Sequence, residues 1–439
     1  MAGSRVLRSS GARVLGSSGA RVLAFVLLSG VVASSTQQTP QQRPPVFRGE
    51  SVLVTVDVYP QKDGRIVEGL QAADFQILEN GQPQTVENVE FVRVEPVLSE
   101  SERRDPNSMS EMLQQAADPH NRVFVVFLDM LHVSVFGSHI SRRPLVDSLN
   151  RIIGEKDLFG VMTQSTDPRA LTLGRRFISI EEQLTKHWTW GERNSKLSDA
   201  TDPMEVMLKG CYEFKPVPGF PFWLVDDNGQ ERYLYQLLID RRREDRTLTA
   251  LEKLVDQMGA MREARSVALV ITEGWRLFNR DLGLAEESKY YGVQRPVVGS
   301  SGGRVTLGDQ TGNADTYRDV KACQDELVRL AGLDHRQRLR DLTLRANRAN
   351  VSFYPVNPSG LVVFDTPMSL DKPPSLEEDQ NRLRNRRHGL EDLASATDGI
   401  AVLNTNDMAA GLKRIIDDVS AYYLLGYYST NTAHDGRYR

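Results

Sequence analysis

Cysteine is scarce in this chain: Cys211 and Cys323 are the two cysteines among 439 residues. No cysteine lies near residues 33–35, which excludes a lipid anchor on a lipoprotein cysteine at that point. An oxidising compartment would permit a bridge between Cys211 and Cys323. The sequence leaves two interpretations open, a disulfide and two buried free thiols, because it does not show whether the two residues approach each other.

A strong excess of one charge is also lacking. The net charge is −4, which gives no electrostatic case for binding nucleic acid. Beyond residue 32 no segment is apolar enough to cross a bilayer. The HExxH zinc-hydrolase pattern does not occur around any of the seven histidines. The sequence therefore favours a protein that is not an enzyme and has neither a nucleic-acid partner nor a membrane span after its N-terminal segment.

The first 35 residues have the order of a secretory signal. Arginines at positions 5, 8, 13 and 21 precede Val22–Val32, an uncharged run of 11 residues, and Ala33, Ser34 and Ser35 follow. This order predicts a signal peptide over residues 1–35 and export to the periplasm or beyond the cell. An uncleaved membrane anchor is the alternative. Residues 36–46, rich in Gln and Pro, are predicted to be a disordered spacer.

Residues 47–96 are predicted to form a small all-β, sandwich-like module. Valines at positions 52, 54, 56 and 58 alternate with other side chains, as in a half-exposed strand. Asn80-Gly81 marks a tight hairpin turn. Residues 97–120 are polar and are predicted to be a linker with one short helix near residues 109–116.

The run Val123–Phe127 continues through Leu128 to Asp129 and is apolar throughout. Such a run is typical of a strand covered on both faces, in the centre of a parallel sheet. Asp129 then stands at the carboxyl end of the strand, where open α/β sheets place their ligands. An acid there either binds a cation or phosphate, or caps the turn into the next helix.

Buried strands and amphipathic helices alternate from residue 121 to about residue 430. This alternation predicts a doubly wound α/β domain with a mostly parallel sheet. Insertions are expected at about residues 178–245, 280–318 and 366–388. The first is rich in aromatic residues. These either are buried beneath a long loop or form an exposed binding surface. Further strands are expected at 157–162, 266–272, 351–356, 399–403 and 422–428, and helices at 138–154, 248–261, 319–350 and 408–419.

Several strings of this chain resemble the von Willebrand factor A (VWA) domain family, and most of all a secreted, acidobacterial-type branch common in soil bacteria. The resemblance covers the chain from Phe47 to its last residue. It implies a Rossmann-like α/β domain that binds partners through a metal-ion-dependent adhesion site. The strings that carry it are VTVDVYPQKDGRIVEGLQAADFQILENGQPQTV (54–86), FVVFLDMLHVS (124–134), DLFGVMT (157–163), SVALVITEG (266–274), LEDLASATDGIAV (390–402) and YYLLGYYSTN (422–431).

The family's site begins with a DxSxS motif after the first strand, which binds Mg²⁺ through oxygen atoms. Asp129 matches the first position of that motif. Leu131 and Val133 occupy the two serine positions and cannot ligate a metal. Ser134 is one residue out of register, and His132 is a poor magnesium ligand.

The family's other two ligands are a threonine in a later loop and an aspartate after the fourth strand. Ile178 stands at the threonine position, with Thr172 and Ser179 as nearby substitutes. Glu273 stands where the last aspartate is expected. The candidate metal residues are therefore Asp129, Ser134, Thr172 and Glu273.

The resemblance and these departures from it predict an exported, non-enzymatic protein-interaction module with a degenerate metal site and an unknown protein partner. No cofactor is expected. One alternative is a Mg²⁺-dependent binding domain that uses Asp129 and Glu273. A second is a metal-dependent hydrolase, for which the spacing of Asp129 and His132 is suggestive.

Overall fold

The structure is a computed structural model. It describes residues 53–62, 65–93, 103–152, 154, 156–175, 190–193, 202–212, 223–225, 231–287, 297–301, 304–308, 314–365 and 375–429. The predicted signal peptide and spacer lie outside the described residues. The chain divides into a smaller unit, with described residues 53–58, 69–90 and 424–429, and a larger unit, with those of 59–68 and 91–423.

The regular elements follow in chain order. The first half of the chain contains β1 (Leu53–Val58), β2 (Gln61–Lys62), β3 (Arg65–Ile66), β4 (Ile77–Glu79), β5 (Gln82–Gln84), β6 (Val86–Arg93), α1 (Met109–Ala117), β7 (Val123–Leu128), α2 (Val135–Ile152), β8 (Leu158–Thr163), α3 (Pro203–Tyr212), β9 (Trp223–Val225) and β10 (Glu231–Tyr233). The second half contains α4 (Leu234–Met261), β11 (Ser266–Ile271), α5 (Leu282–Glu287), β12 (Val297–Ser301), β13 (Arg304–Gly308), α6 (Ala314–Ala331), α7 (His335–Arg348), β14 (Val351–Val356), α8 (Leu376–Ala396), α9 (Met408–Val419) and β15 (Ala421–Tyr428).

The smaller unit consists of short strands. Strands β4 and β5 form a hairpin in which Glu79 pairs with Gln82 across Asn80-Gly81. Both turn residues have positive φ, 50° and 78°, which asparagine and glycine tolerate best. The predicted tight turn is confirmed. The module's limits, residues 47–96, stay a prediction.

Strand β15 belongs to a different sheet from the one its sequence position suggests. It pairs between β1 and β6, whereas we expected residues 422–428 to complete the α/β domain. The strand itself is confirmed, and all but its last residue are buried. A continuous apolar run shows that a strand is covered on both faces, but not which sheet contains it.

The larger unit contains a four-stranded parallel sheet in the order β14, β11, β7, β8. The prediction of an α/β fold with a parallel sheet is confirmed at this level. The chain order runs from β7 outward to β8, then back across β7 to β11 and β14. The direction of winding therefore reverses between β7 and β11, and crevices form at the carboxyl ends of strands at such a point.

Helices cover both faces of this sheet. On one face Phe127 packs in a cluster with residues of α4, α7 and α8; on the other, Val126 packs with residues of α2 and α9. Because alternate residues of β7 point to opposite faces, both sets are buried. This arrangement explains why the strand shows an unbroken apolar run instead of alternation.

A third apolar cluster joins α3, the first turns of α4, and α6. It contains Leu208, Leu238 and Leu327. A disulfide links Cys211 to Cys323 within it, with a Cα–Cα distance of 6.5 Å. Across the described ranges, no helix is both long and apolar enough to span a bilayer.

Three predicted helices differ from the observed ones. Helix α4 begins at Leu234 instead of residue 248. Helix α2 begins at Val135 instead of residue 138 and contains Pro144 in its interior. The single helix expected over residues 319–350 is two helices, α6 and α7. The helical conformation is interrupted near Gly332. Asp334 then caps α7 by accepting a hydrogen bond from the amide of Gln337.

The regions predicted as loops and excursions contain regular structure. Part of the glycine-rich stretch 299–303 lies in the antiparallel hairpin of β12 and β13. Residues 376–388, within the insertion expected at 366–388, belong to α8, where Arg382 and Arg386 are buried. The expected edge strand 399–403 is a single bridge between Val356 and Val402. In the aromatic segment Trp190 is buried; Trp188, Phe214, Phe220 and Phe222 lie outside the described residues.

Candidate functional site

Asp129 and Glu273 lie at the same edge of the parallel sheet. The last residues of β7 and β11, Leu128 and Ile271, are paired in register, and the two acids follow them. The backbone amide of Asp129 donates to the carbonyl of Ile271 at 3.1 Å, and that of Glu273 donates to the carbonyl of His132 at 3.3 Å. The two acids therefore lie together at the edge of the sheet where the winding reverses.

The carboxylate of Asp129 is fully buried and accepts hydrogen bonds from neighbouring side chains on both oxygens. Oδ2 accepts from the Thr272 hydroxyl at 2.7 Å and from the Trp275 indole at 2.8 Å. Oδ1 accepts from the Gln164 amide and from the Thr247 hydroxyl, the latter at 3.3 Å. These donors fill the positions from which a cation would approach the two oxygens.

His132 completes the surroundings of Asp129. Its Nδ1 lies 2.9 Å from Oδ1 of Asp129, and its Nε2 lies 3.6 Å from Oε1 of Glu244. Burial alone would lower the pKa of His132, but the carboxylates of Asp129 and Glu244 raise it. Burial alone would raise the pKa of Asp129, but the charge and hydrogen bonds of His132 hold it below its usual value. The two residues therefore form a buried ion pair.

Glu244 is the second acid beside His132. It is buried, and its Oε1 accepts a hydrogen bond from the backbone amide of Arg276. Burial raises the pKa of Glu244, against the effect of the nearby histidine charge. The histidine lies between one ionised acid and a second that burial makes harder to ionise. We call Asp129, His132, Glu244 and the four donors to Asp129 the Asp129 centre.

Glu273 faces the start of helix α2. Its Oε1 accepts from the amide and the hydroxyl of Ser134, at 2.9 and 2.6 Å. The Ser134 hydroxyl in turn accepts from the amide of Gly137 at 3.0 Å, which is a helix N-cap interaction. A Cβ on Gly137 would lie 2.4 Å from Oε1, so this close approach needs glycine. The carboxylate therefore neutralises the positive end of the helix.

The other oxygen of Glu273 is paired with Arg193. Oε2 accepts from the Arg193 guanidinium at 2.6 Å, and the same guanidinium donates to Asp365 Oδ1 at 2.7 Å. Arg386 lies 3.1 Å from Asp365 on its other side. Burial opposes both charges, yet the pKa of Arg193 is raised and that of Asp365 lowered, because each faces an opposite charge. We call Glu273, Arg193, Asp365 and Arg386 the Glu273 centre.

The residues present do not fit a magnesium site. Mg²⁺ needs an octahedral set of oxygen ligands, whereas the acids here face N–H and O–H donors and a guanidinium. Leu131 and Val133, at the two serine positions of the motif, are buried. The hydroxyl of Ser134 donates to Glu273 and accepts from the amide of Gly137 at the helix N-terminus, so it is already hydrogen-bonded. Within the described part of the chain, no group of three His, Cys, Asp or Glu residues is placed to hold a metal.

The remaining predicted residues lie apart from these centres. Thr172 is exposed, and its hydroxyl donates to the carbonyl of Ala170 at 3.4 Å, beside the middle of β8. The structure therefore does not bring Thr172 to the edge where Asp129 and Glu273 lie. Ile178 and Ser179, the other positions considered, lie outside the described residues.

Sequence reasoning missed most of the partners of the two acids. Gln164 follows the end of β8 directly, so the parallel-sheet rule that located Asp129 and Glu273 also applies to it. Thr247 lies within α4 and Arg193 between β8 and α3, where no local pattern marks them. Arg193 reaches its place because its amide donates to the carbonyl of Val133 at 3.0 Å, which fixes this segment against the loop after β7.

The sequence also contains a hydrolase motif that the sequence analysis did not identify. Gly299–Gly303 matches the nucleophile pattern G-x-S-x-G of α/β-hydrolases. That pattern needs a sharp turn from a strand into a helix. Ser300 and Ser301 instead end β12 and pair with β13 in an antiparallel hairpin. The match therefore does not support a hydrolase.

Comparisons with known proteins found similarity at a low level. No family model matches the chain, and no curated protein does. Among solved structures, an aerotolerance-related membrane protein from Bacteroides fragilis NCTC 9343, with multiple mutations to serines, is 10% identical with a TM-score of 0.27. The conserved hypothetical protein BatB from Bacteroides thetaiotaomicron gives the same two values. Each alignment covers 68% of this chain and 97% of the other. A TM-score of 0.27 is too low to indicate a common fold.

Proposed function

We propose that this chain is an exported, non-enzymatic protein-interaction module whose larger unit is of VWA type and carries a degenerate metal site. The VWA assignment is supported by the sequence strings given above and by Asp129 and Glu273 lying at one edge of a parallel sheet. The signal-like order of residues 1–35 supports export. The partner is a protein recognised through surface contacts, without a bridging cation.

The occupancy of the two acids by internal partners is the observation that carries this proposal. Asp129 accepts hydrogen bonds from four neighbouring side chains and is paired with His132. Glu273 is held by Ser134 and by the guanidinium of Arg193. A cation entering here would have to displace these donors and the arginine, at the cost of several buried, charge-assisted hydrogen bonds. The guanidinium thus supplies the positive charge that the family's metal supplies.

Exposed apolar side chains beside the Glu273 centre favour binding by surface contact. The first turns of α2 follow Ser134, and the loop after β14 leads to Asp365, so both segments flank Glu273. Large exposed apolar patches on soluble proteins mark interaction sites, so exposed apolar side chains on these two segments are candidates for contact with a partner. The exposed side chains of the two segments are Val135, Phe136, Ile140, Leu361, Val363 and Phe364.

Calorimetric titration of Mg²⁺, Ca²⁺ and Mn²⁺ into the purified chain tests the degenerate site. We expect no saturable binding at micromolar concentrations, because the oxygens of both acids are occupied. Asp129→Ala and Glu273→Gln are the matched variants. Micromolar binding that either substitution abolishes would instead establish the alternative, a Mg²⁺-dependent binding domain that uses these two acids.

The non-enzymatic assignment is supported by the burial of the groups that suggested a hydrolase. Asp129 is 0% and His132 6% exposed, so a substrate has no direct access to the pair. Assays with ester, phosphoester and peptide substrates, with and without added Zn²⁺ and Mn²⁺, test this point. Hydrolysis that His132→Gln abolishes, while the chain remains folded by circular dichroism, would support the hydrolase alternative.

A further inference from the structure

A cavity of about 540 Å³ lies between helices α7 and α8 and the segment that follows β11. This segment, Arg276–Phe278, forms one wall, and the facing sides of the two helices form the others. Pockets for small molecules have volumes of roughly 300–1,000 Å³. The cavity therefore has the size of a small-molecule site, and none of the sequence motifs points to it.

The lining of the cavity is strongly basic. One of the described lining residues is acidic, Asp392. The basic lining residues are Arg276, Arg336, Arg340, Arg382 and His388. The whole chain has a net charge of −4, so this concentration of positive charge is local. A concave surface lined by one sign of charge attracts ligands of the opposite sign.

Two of these guanidiniums make no ion pair within the described part of the chain. Arg336 Nε donates to the carbonyl of Leu277 at 3.2 Å, and Arg340 Nε donates to the side-chain amide oxygen of Gln337, also at 3.2 Å. Both acceptors are neutral, and both arginines are exposed. Their charges are therefore positioned by hydrogen bonds and remain available to an anion.

The other two guanidiniums lie deeper. Arg382 is 2% and Arg276 7% exposed, and Arg276 forms an ion pair with Asp240 at 3.1 Å. Leu277 and Leu339 add apolar surface between the charges. The cavity thus combines fixed and exposed positive groups around an apolar area.

We propose that this cavity binds a small organic molecule that carries an oxyanion group, phosphate or carboxylate. Guanidinium groups match both because their planar fork presents two parallel N–H donors to two oxygens. Arg336 and Arg340 bind the oxyanion at the mouth. The apolar surface of Leu277 and Leu339 accommodates the carbon skeleton.

Calorimetric titration of pyrophosphate and of citrate into the purified chain tests this site. We expect saturable binding of at least one probe, weakened about tenfold or more by Arg340→Ala and by Arg336→Ala, since a charged hydrogen bond is lost in each. Thr343→Trp, which fills the cavity without changing its charge, should also prevent binding. Arg384→Ala and Arg345→Ala are the matched controls, because these exposed arginines of α8 and α7 do not line the cavity.

The two probes distinguish the sources of the oxyanion. Binding of pyrophosphate alone assigns a phosphorylated ligand, binding of citrate alone a polycarboxylate, and binding of both the oxyanion chemistry that they share. The proposal is wrong if neither probe binds at millimolar concentration. It is equally wrong if the control variants weaken binding as much as the cavity variants do. Circular dichroism of each variant identifies loss of folding, and Arg340→Glu replaces any variant that unfolds.

Discussion

The two centres at the edge of the sheet and the basic cavity both contain charged side chains, but they use them differently. At the sheet edge, Asp129 is paired with His132 and Glu273 with Arg193, and all but the arginine are almost completely buried. In the cavity, Arg336 and Arg340 are exposed and hydrogen-bond to neutral acceptors. The first region has its counter-charges built in, while Arg336 and Arg340 make no ion pair within the described residues.

This difference separates the position of a charged residue from its role. Asp129 and Glu273 lie at the strand ends where the resemblance to VWA domains predicts a metal site, yet their partners make them part of the structure. Arg336 and Arg340 in the cavity match no motif, yet their charges are accessible. The partners of a charged group therefore indicate its function better than its place in a fold does.

Replacing Asp129 should cause the largest loss of stability. Asp129→Ala leaves the His132 charge and the hydroxyl, amide and indole donors without their acceptor. Breaking a buried pair in this way costs roughly 3–5 kcal/mol of unfolding free energy. Urea denaturation followed by circular dichroism measures it.

The matched control for this prediction is Asp417→Ala on helix α9. Asp417 is exposed and pairs with Lys413 one turn earlier, so its loss should change the unfolding free energy by no more than about 0.5 kcal/mol. If Asp129→Ala were as mild as this control, the Asp129 centre would not be structural. Its acid would then be available for a ligand after all.

Replacing Arg193 should have the next largest effect. Arg193→Met leaves Glu273 and Asp365, whose side chains are 3% and 4% exposed, without the guanidinium between them. Because Arg193 is itself 16% exposed, we expect somewhat less than for Asp129, roughly 2–4 kcal/mol. A double-mutant cycle with Glu273→Gln should show a coupling of more than about 0.5 kcal/mol. Additive effects would contradict the assignment of Arg193 as the built-in cation.

The Asp129 centre should also make stability depend on pH. The pKa of His132 is raised on folding, so its contribution is complete below the unfolded value of about 6.5 and is lost as pH rises through the folded value. The raised pKa of Glu244 acts in the same direction, from a lower pH. Thermal melts between pH 6 and pH 9 should therefore show falling stability in the unmodified chain, and less of a fall in His132→Gln.

His335 is the matched control for the pH experiment, because its shift has the opposite sign. Burial lowers its pKa to about 3, so the folded chain loses stability as pH falls below about 6.5. His335→Leu should remove part of that acid-side loss and leave the alkaline-side fall unchanged. If His132→Gln and His335→Leu had the same pH profile, the ion pair of His132 with Asp129 would be contradicted.

Much of the sheet could be predicted because a strand buried on both faces has a continuous apolar sequence. The runs 123–128 and 267–271 are apolar throughout, as central parallel strands require. Asn80-Gly81 identifies its turn for an equally local reason, since both residues tolerate positive φ. The resemblance to the VWA family singled out Asp129 and Glu273, each after a buried strand, and the structure places them at one edge.

The partners of the charged residues could not be predicted, since they come from distant parts of the chain. Arg193 meets Glu273 from 80 positions away, across a segment without periodicity. The charged stretch around Arg382 and Arg386 is locally indistinguishable from a solvated helix face. Burial of Arg386 depends on Asp365, which lies on another segment. Such pairings depend on the tertiary structure, and no local sequence pattern predicts them.

The smallest stability effect should come from reversing a charge at the mouth of the cavity. Arg340 is exposed and makes hydrogen bonds to Gln337 on its own helix, so Arg340→Glu should change the unfolding free energy by no more than about 0.5 kcal/mol. The same substitution should strongly weaken binding of pyrophosphate or citrate, because it places a negative charge where the oxyanion binds. A large loss of stability would show that Arg340, like Arg193, has a structural counter-charge, and the contrast between the two regions would disappear. Urea denaturation beside the calorimetric titration measures both quantities on one preparation.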